Sequence, residues 1–237
     1  MKIAGSGSIP GGDYQEEIHI SGTGKVTGST SCTGVSISGT GKIEGDLHCT
    51  GEVSSSGSGK VKGDLEADEL HSSGSFDVEG GLRCKKISSS GSLNAGSVSA
   101  DKLHISGMLK CDEDISAEDA VIRGYVKSGG LINAEKLNVE FDTSSEANSI
   151  GGSSIRIRKK GFIAAAILKF IGKDDAGLFK VSGSIEGDDI DIEYVEADSV
   201  TGKNVKIGPG CNIGVVSFSG TYKASEDSVV GTVEEAK

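Results

Sequence analysis

The sequence contains no tryptophan and two prolines, and aromatic residues make up 4% of its 237 positions. An ordinary globular core takes much of its buried area from aromatic side chains, so this composition disfavours such a core. An excess of positive charge is also missing, because the net charge is −11. Nucleic acid is therefore disfavoured as a partner, since phosphate binding needs a basic footprint.

Long hydrophobic runs are missing as well. No stretch of 18 apolar residues occurs, so the sequence predicts no membrane-spanning helix. The first residues lack the apolar region of a signal peptide. The five cysteines include no CxxC pair, and without an export signal they are expected to be reduced, buried thiols. We therefore expect a cytoplasmic protein.

A Ser-Gly pair recurs through the first half of the chain. Its glycines are 16 to 18 residues apart, and they are Gly22, Gly39, Gly57, Gly74, Gly91 and Gly107. Self-similarity at a fixed period indicates a repeat architecture. Apolar and polar residues alternate within each period, which is typical of β-strands. The sequence thus predicts an all-β solenoid of about 17-residue coils, each pairing its strands with those of its neighbours.

Alignment on this glycine places apolar residues in columns that would face the interior. The position four residues before the glycine holds Ile18, Val35, Val53, Leu70, Ile87, Leu103 and Ala120. Another column of small residues includes Cys32, Ala67, Cys84, Ala100 and Ala117. A narrow interior filled in this way explains why aromatic residues are scarce. The glycines themselves are expected at corners that need a positive φ angle.

The repeat is not equally clear along the whole chain, and this suggests domain limits. Its register fades after about residue 140 and returns near Gly183. We therefore predict an N-terminal tail (1–17), an N-terminal β-solenoid (18–140), a helical or irregular interruption (141–180), a C-terminal β-solenoid (181–223) and a C-terminal tail (224–237).

The predicted interruption contains a segment, residues 156–171, that combines basic and apolar side chains. Three consecutive alanines, 164–166, favour a short helix. One interpretation is a helix that packs on the solenoid or caps it. The other is a contact with an anionic membrane surface or a protein partner. This contact would use Arg156, Arg158, Lys159, Lys160, Phe162, Ile163, Ile167 and Phe170, and would place the protein at the inner face of the membrane.

Motifs that could carry chemistry are weak. The run 39–45, GTGKIEG, departs from the dinucleotide-binding spacing and no helix pattern follows it. His19, His71 and His104 occupy one outward column in non-adjacent coils, too far apart to share a metal. The acidic run 188–193 lacks a calcium-loop motif and is expected to be a solvated face. We therefore expect no catalytic, cofactor or metal site.

The string Ser38–Leu47 (SGTGKIEGDL), echoed by Ser56–Leu65 (SGSGKVKGDL), resembles the bactofilins. The run 185–214 is similar to the longer, Firmicute-type members of that family. The resemblance implies a right-handed β-helix that polymerises end to end without nucleotide. It also implies a role in cell shape, in motility or in positioning machinery of the cell envelope.

Three functional hypotheses follow. The first is a self-assembling scaffold whose partner is a second copy of itself, since the ends of a solenoid can pair with further strands. Residues near the ends are the interface candidates: Ile18, Ile20, Val26, Val216, Phe218 and Tyr222. The second is a non-polymerising β-helix adaptor for a protein partner that the sequence does not identify.

The third hypothesis is a β-helix carbohydrate-active enzyme or a hexapeptide-type acyltransferase. The first of these would need convergent carboxylates and aromatic sugar platforms, but tryptophan is missing. The second has only the region around Cys211 in its favour, and no histidine follows His104. We therefore expect that the chain is not an enzyme.

Overall fold

The computed structural model describes residues 1–160 and 177–236 of the chain. Its strands pair in parallel and form a β-solenoid with coils of about 17 residues, which confirms the predicted fold class. The predicted helix at 164–166 lies outside the described residues. The chain divides into two compact units, Met1–Ala117 and Glu118–Lys237. Each unit is described in turn.

The first unit is a stack of coils made of short parallel strands. These are β1 (Lys2–Ile3), β2 (Ser6–Asp13), β3 (Ile18–Ile20), β4 (Thr23–Cys32), β5 (Val35–Ile37), β6 (Thr40–Ile43), β7 (Leu47–Cys49), β8 (Glu52–Ser55), β9 (Ser58–Val61), β10 (Leu65–Ser72), β11 (Ser75–Ser89) and β12 (Ser92–Cys111). The predicted N-terminal tail is wrong, because β1 pairs with β3 and β2 pairs with β4.

Equivalent residues of successive coils lie directly opposite one another. Ile18 pairs with Val35, which pairs with Val53, and Leu70 pairs with Val53 and Ile87. All five side chains are buried. They form the inward ladder that the alternation of apolar and polar residues predicted, because successive side chains of a strand point to opposite faces.

The corner glycines form a second ladder, which we call the glycine ladder: Gly5, Gly22, Gly39, Gly57, Gly74, Gly91 and Gly107. A positive φ angle was expected at these corners, and that expectation is wrong for Gly22, Gly39, Gly57, Gly74 and Gly91. The reason for glycine there is close approach. A Cβ atom on Gly74 would lie 2.0 Å from the carbonyl oxygen of Gly57, one coil below. Any other residue would push two coils apart.

Large and small side chains compensate for each other inside the coils. A Cβ atom on Gly24 would lie 2.6 Å from Cγ2 of Ile20, because that isoleucine fills the space beside the glycine. In a later coil the equivalent pair is Ser72 and Phe76, and Phe76 is fully buried. The large residue has moved from one side of the interior to the other. The core therefore keeps its volume although its composition changes along the stack.

The recurring Gly-Asp-Leu motif has a structural role that the sequence did not reveal. The Oδ1 atom of Asp46 accepts a hydrogen bond of 3.0 Å from the backbone N–H of Asp64 in the next coil. Asp64 repeats the pattern, because its Oδ1 atom accepts a 2.8 Å bond from the N–H of Gly81. The carboxylate of each aspartate thus accepts a hydrogen bond from a backbone N–H at a corner, where the strand ladder is interrupted.

The second unit continues the same type of pairing. Its strands are β13 (Ile115–Ser128), which contains the division between the units, β14 (Leu131–Phe141), β15 (Ser145–Ala147), β16 (Ser149–Lys159), β17 (Phe179–Ile192), β18 (Val195–Ile207), β19 (Asn212–Ala224) and β20 (Val229–Glu235). Strand β14 pairs in register with β16. From β16 to β20, each strand then pairs with the next one in the chain.

Two predicted limits of the second unit are wrong. Residues 145–159 were assigned to the interruption, but β16 pairs with β14 on one side and β17 on the other. Ile155 pairs with Ile190, about two coil lengths further along the chain, so the ladder passes directly from β16 to β17. The predicted C-terminal tail contains β20, which pairs with β19. Within residues 141–159 and 177–180, the strands thus continue although the sequence repeat fades.

Candidate self-assembly surfaces

The coil formed by β1 and β2 is the outermost described coil of the first unit. Ile3 is buried over Ile20, and Ile9 is half-buried opposite Val26. Most other residues of β2 are exposed. The hydroxyl of Tyr14 donates a 2.6 Å hydrogen bond to the carbonyl oxygen of Pro10 and closes the end of the coil. This surface carries the strand edge on which another coil could stack.

Three residues predicted at the interface lie one coil deeper. Ile18, Ile20 and Val26 are all buried. Ile20, for example, pairs with Ile3 on one side and with Ile37 on the other. Because the chain itself covers both sides of these residues, they are core residues. The end of the stack was misplaced when β1 and β2 were taken for a tail.

The last coil, formed by β20 on β19, is the corresponding surface of the second unit. Val216 was predicted at the interface but is buried, because Val233 pairs with it from β20. Val233 continues the inward column of Val200 and Val216, yet it is 45% exposed. Residues 231–236 are all exposed. A core column therefore ends at the surface here.

The other two predicted residues, Phe218 and Tyr222, lie on β19, and their role at an interface stays a prediction. Both are half-buried on β19, and their rings stack with centroids 5.4 Å apart and planes 22° apart. Tyr222 pairs with Val205, so its ring follows the inward column of the preceding coils. The pair covers the end of that column and leaves part of both rings on the surface. An aromatic pair of this kind supplies large contact area to a partner.

The basic cluster, Arg156, Arg158, Lys159 and Lys160, was predicted to contact a membrane or partner. Arg158 instead forms ion pairs with Asp191 and with Glu193, the latter at 2.8 Å. The Nζ atom of Lys159 lies 4.7 Å from the ring centroid of Tyr194, a cation–π contact. Half of the cluster is therefore used inside the unit, and the acidic run that was predicted to be solvated supplies the partners of Arg158.

The remaining predicted contact residues have a different status. Arg156 and Lys160 are exposed. Phe162, Ile163, Ile167 and Phe170 lie outside the described residues. The membrane or partner contact thus stays a prediction. In the part of the chain that the structure describes, no helix has the length and apolar character needed to cross a membrane.

Replacing Arg158 with alanine is expected to lower the free energy of unfolding of the second unit by about 1.5–3 kcal/mol, the range for hydrogen bonds to charged groups. Asp191 and Glu193 are only 24% and 26% exposed. Glu193 would lose its ion pair with Arg158, and Asp191 would be left with its 3.4 Å ion pair to Lys206. Urea denaturation measures the change. The matched control is Arg156→Ala, an exposed position where the loss should stay below about 0.5 kcal/mol. Equal losses in the two variants would contradict the assigned role.

The predicted histidine column is found in the structure. His19 pairs with Ser36, and Ser88 pairs with both His71 and His104. The described residues contain no group of three or more histidines, cysteines or acidic residues that could hold a metal ion. The nearest polar contacts of His19 and His71 are Glu17 and Glu69, at 3.6 Å and 3.0 Å. The column is a polar outer face of the stack.

The chain is similar to one protein family and to two proteins of Bacillus subtilis. Two overlapping regions, residues 2–83 and 40–107, match the family described as "Bactofilin: Polymer-forming cytoskeletal". The uncharacterized protein YhbF of Bacillus subtilis (strain 168) is 34% identical over 100 residues, which cover 41% of this chain and 37% of that protein. The uncharacterized protein YhbE of the same organism is 33% identical over 108 residues, 45% of this chain and 43% of that protein.

The matched stretches span less than half the length of either relative. No solved structure is significantly similar to the chain. The family region, however, coincides with the glycine ladder and with both copies of the Gly-Asp-Leu motif. Residues 2–107 are thus similar to the bactofilins, a family described as polymer-forming and cytoskeletal.

Proposed function

We propose that the chain is a cytoskeletal scaffold whose copies stack end to end, without nucleotide, through their terminal coils. The similarity of residues 2–107 to a polymer-forming family supports assembly as such. The observation that carries the end-to-end mode is Val233, a residue of an inward core column that is 45% exposed. A coil of a second copy would cover Val233, just as β19 covers Val200 and β20 covers Val216 in the same column.

The backbone supports the same mode. β20 pairs with β19 along one edge, and its exposed residues show that the other edge faces solvent. An edge strand offers unpaired N–H and C=O groups that pair with an added strand. At the other surface, β2 pairs with β4 and exposes most of its residues. Stacking in register would extend both the hydrogen bonds and the apolar columns.

The cellular role that we propose is structural. A filament of stacked coils would position machinery of the cell envelope, or of cell shape or motility, as the family resemblance implies. The description of the family is that of a cytoskeletal protein rather than of an enzyme. The machinery positioned in this way would be the protein partner of the filament. A proteomic screen of proteins that co-sediment with the assembled filament, but not with an assembly-deficient variant, would identify it.

Replacing Val233 with lysine is expected to abolish filaments while leaving the single chain folded. The side chain is exposed in one copy, but a second copy would bury its ammonium group without a partner. Such burial costs several kcal/mol, so the critical concentration should rise by at least about tenfold. Sedimentation and negative-stain electron microscopy measure the assembled fraction at several protein concentrations.

The matched control is Thr232→Lys, which adds the same charge to the same strand. Thr232 pairs with Val215 outside the inward columns and is exposed, so this variant should still form filaments. Filaments of normal length from Val233→Lys would overturn the end-to-end mode at this coil. Loss of filaments in both variants would mean that net charge, rather than the core column, controls assembly.

A further inference from the structure

Two cysteines lie side by side at the ends of successive coils. Cys32 ends β4 and Cys49 ends β7, and the two residues are directly paired in the parallel ladder. Their Sγ atoms are 3.1 Å apart. Paired residues in neighbouring strands are about 4.8 Å apart, which falls within the Cα separations of about 4.4–6.8 Å that disulfides span. The two sulfur atoms could therefore bond without a shift of the backbone.

The other cysteines of the chain lack this arrangement. Cys84 stands in the same column, but its neighbours there are Ala67 and Ala100. Cys111 and Cys211 have as their nearest polar contacts the carbonyl oxygens of Gly96 and Ile192, at 3.3 Å and 3.5 Å. The column thus tolerates both cysteine and alanine, and one pair within it is placed to react.

One member of the pair, Cys49, borders a route to solvent, and the sulfur of Cys32 lies 3.1 Å from its sulfur. Cys32 and Cys49 are 4% and 2% exposed, which shields them from large reagents. Cys49 nevertheless lines a shallow surface depression together with His48, Thr50, Ala67 and Cys84. A small, uncharged oxidant can enter such a depression, whereas a bulky thiol reagent cannot. Hydrogen peroxide has the required size.

We propose that Cys32 and Cys49 are a redox site, at which hydrogen peroxide joins two successive coils by a reversible disulfide. The Cys32 thiolate attacks one peroxide oxygen and the O–O bond breaks, which leaves a sulfenic acid on Cys32 and a hydroxide that takes up a proton to form water. Cys49 sulfur then attacks the sulfur of Cys32, and the S–S bond forms as the S–O bond breaks. The departing hydroxide takes the proton of Cys49, so two thiols and one peroxide give one disulfide and two water molecules.

The surroundings assign the two roles. The sulfur atoms of Cys32 and Cys49 share a hydrogen bond in which either thiol can donate, and this contact lowers the pKa of Cys32. The same contact, together with burial, raises the pKa of Cys49. The thiolate is the nucleophilic form of cysteine. Cys32 therefore reacts first with the oxidant, and Cys49 resolves the sulfenic acid.

The bond would change the stability of the coils near the first unit's end. It would close a loop between residues 17 positions apart and so restrict the unfolded chain. In a solenoid each coil contacts only its neighbours, which makes local opening the main way in which proteases gain access. The oxidised chain should therefore be cut more slowly, by several-fold, within residues 32–49.

The test treats the purified full-length chain with hydrogen peroxide and maps its peptides by mass spectrometry without reduction. A peptide pair that joins Cys32 to Cys49, with a mass loss of about 2 Da that dithiothreitol reverses, is the expected result. The variant Cys49→Ala should instead accumulate sulfenic or sulfinic acid on Cys32. The matched control Cys84→Ala should form the same disulfide as the unaltered chain.

Alanine already occupies this column at positions 67 and 100, so both variants retain a side chain that the fold accepts. The peptide map of the unaltered chain decides the question even if a variant misfolds. Cys32 and Cys49 that stay reduced, become oxidised only to sulfinic acid, or link to other cysteines would overturn the proposal.

Discussion

Replacing Gly74 with alanine is expected to destabilise the first unit by at least about 3 kcal/mol, the upper end of what overpacking usually costs. The new Cβ atom would lie 2.0 Å from the carbonyl oxygen of Gly57 and 2.9 Å from its carbonyl carbon. Both atoms belong to the backbone, so no rotation of a side chain can relieve the overlap. The two coils would have to separate, and that breaks the strand pairing on each side of the corner.

Urea denaturation and limited proteolysis of the first unit measure this effect. The matched control is Gly81→Ala, a glycine of the same coil. A Cβ atom there would meet the Ser97 hydroxyl at 3.2 Å, and that side chain can rotate away. The control should lose less than about 1 kcal/mol, as a small change at a tolerant site does. A Gly74 variant as stable as the control would show that close approach of neighbouring coils is not the reason for glycine at these corners.

The glycine ladder also shows how closely neighbouring coils depend on one another. Neighbouring coils are the only support that a coil has, so a defect at one corner weakens the pairing of two interfaces. Each of Gly22, Gly39, Gly57, Gly74 and Gly91 meets the same constraint, since the nearest carbonyl oxygen would be 2.0–2.2 Å from a Cβ atom. The period of the sequence is thus set by contacts between coils rather than within them.

The columns of equivalent residues could be predicted from the sequence, but the reason for glycine at the corners could not. A period of about 17 residues and the alternation around it place Ile18, Val35 and Val53 in one column. Spacing carries no information on how closely two backbones approach. A positive φ angle and a close approach both select glycine, and only the structure separates them.

The ends of the stack were missed for a different reason. The first coil has Ala4 where later coils have serine before the corner glycine, which hid it from the Ser-Gly pattern. Ile3, Gly5 and Gly7 nevertheless keep the spacing of Ile20, Gly22 and Gly24, and this was the available signal. Arg158 was misjudged because its partners Asp191 and Glu193 are distant in sequence and meet it only through the register of β16 and β17.

The scarcity of aromatic residues gives the few buried ones a large share of the core. Phe141, the last residue of β14, and Phe179, the first residue of β17, are both fully buried in the second unit. Their rings meet edge to face, with centroids 5.8 Å apart and planes at 76°. This contact joins two strands across a long stretch of sequence. Phe179 also pairs with Ser145 and Val195, so its ring contributes to the column between β15 and β18.

Replacing Phe179 with alanine should lower the free energy of unfolding of the second unit by about 3–5 kcal/mol, the usual cost of truncating a buried aromatic ring. Loss of the edge-to-face contact accounts for about 0.5–1.5 kcal/mol of this, and a double-mutant cycle with Phe141→Ala isolates that part. Phe218→Ala is the control, because its ring is half-exposed and should cost less than half as much. A loss below about 1 kcal/mol at Phe179 would mean that the coil closes around the cavity, and that the narrow interior does not depend on its aromatic residues.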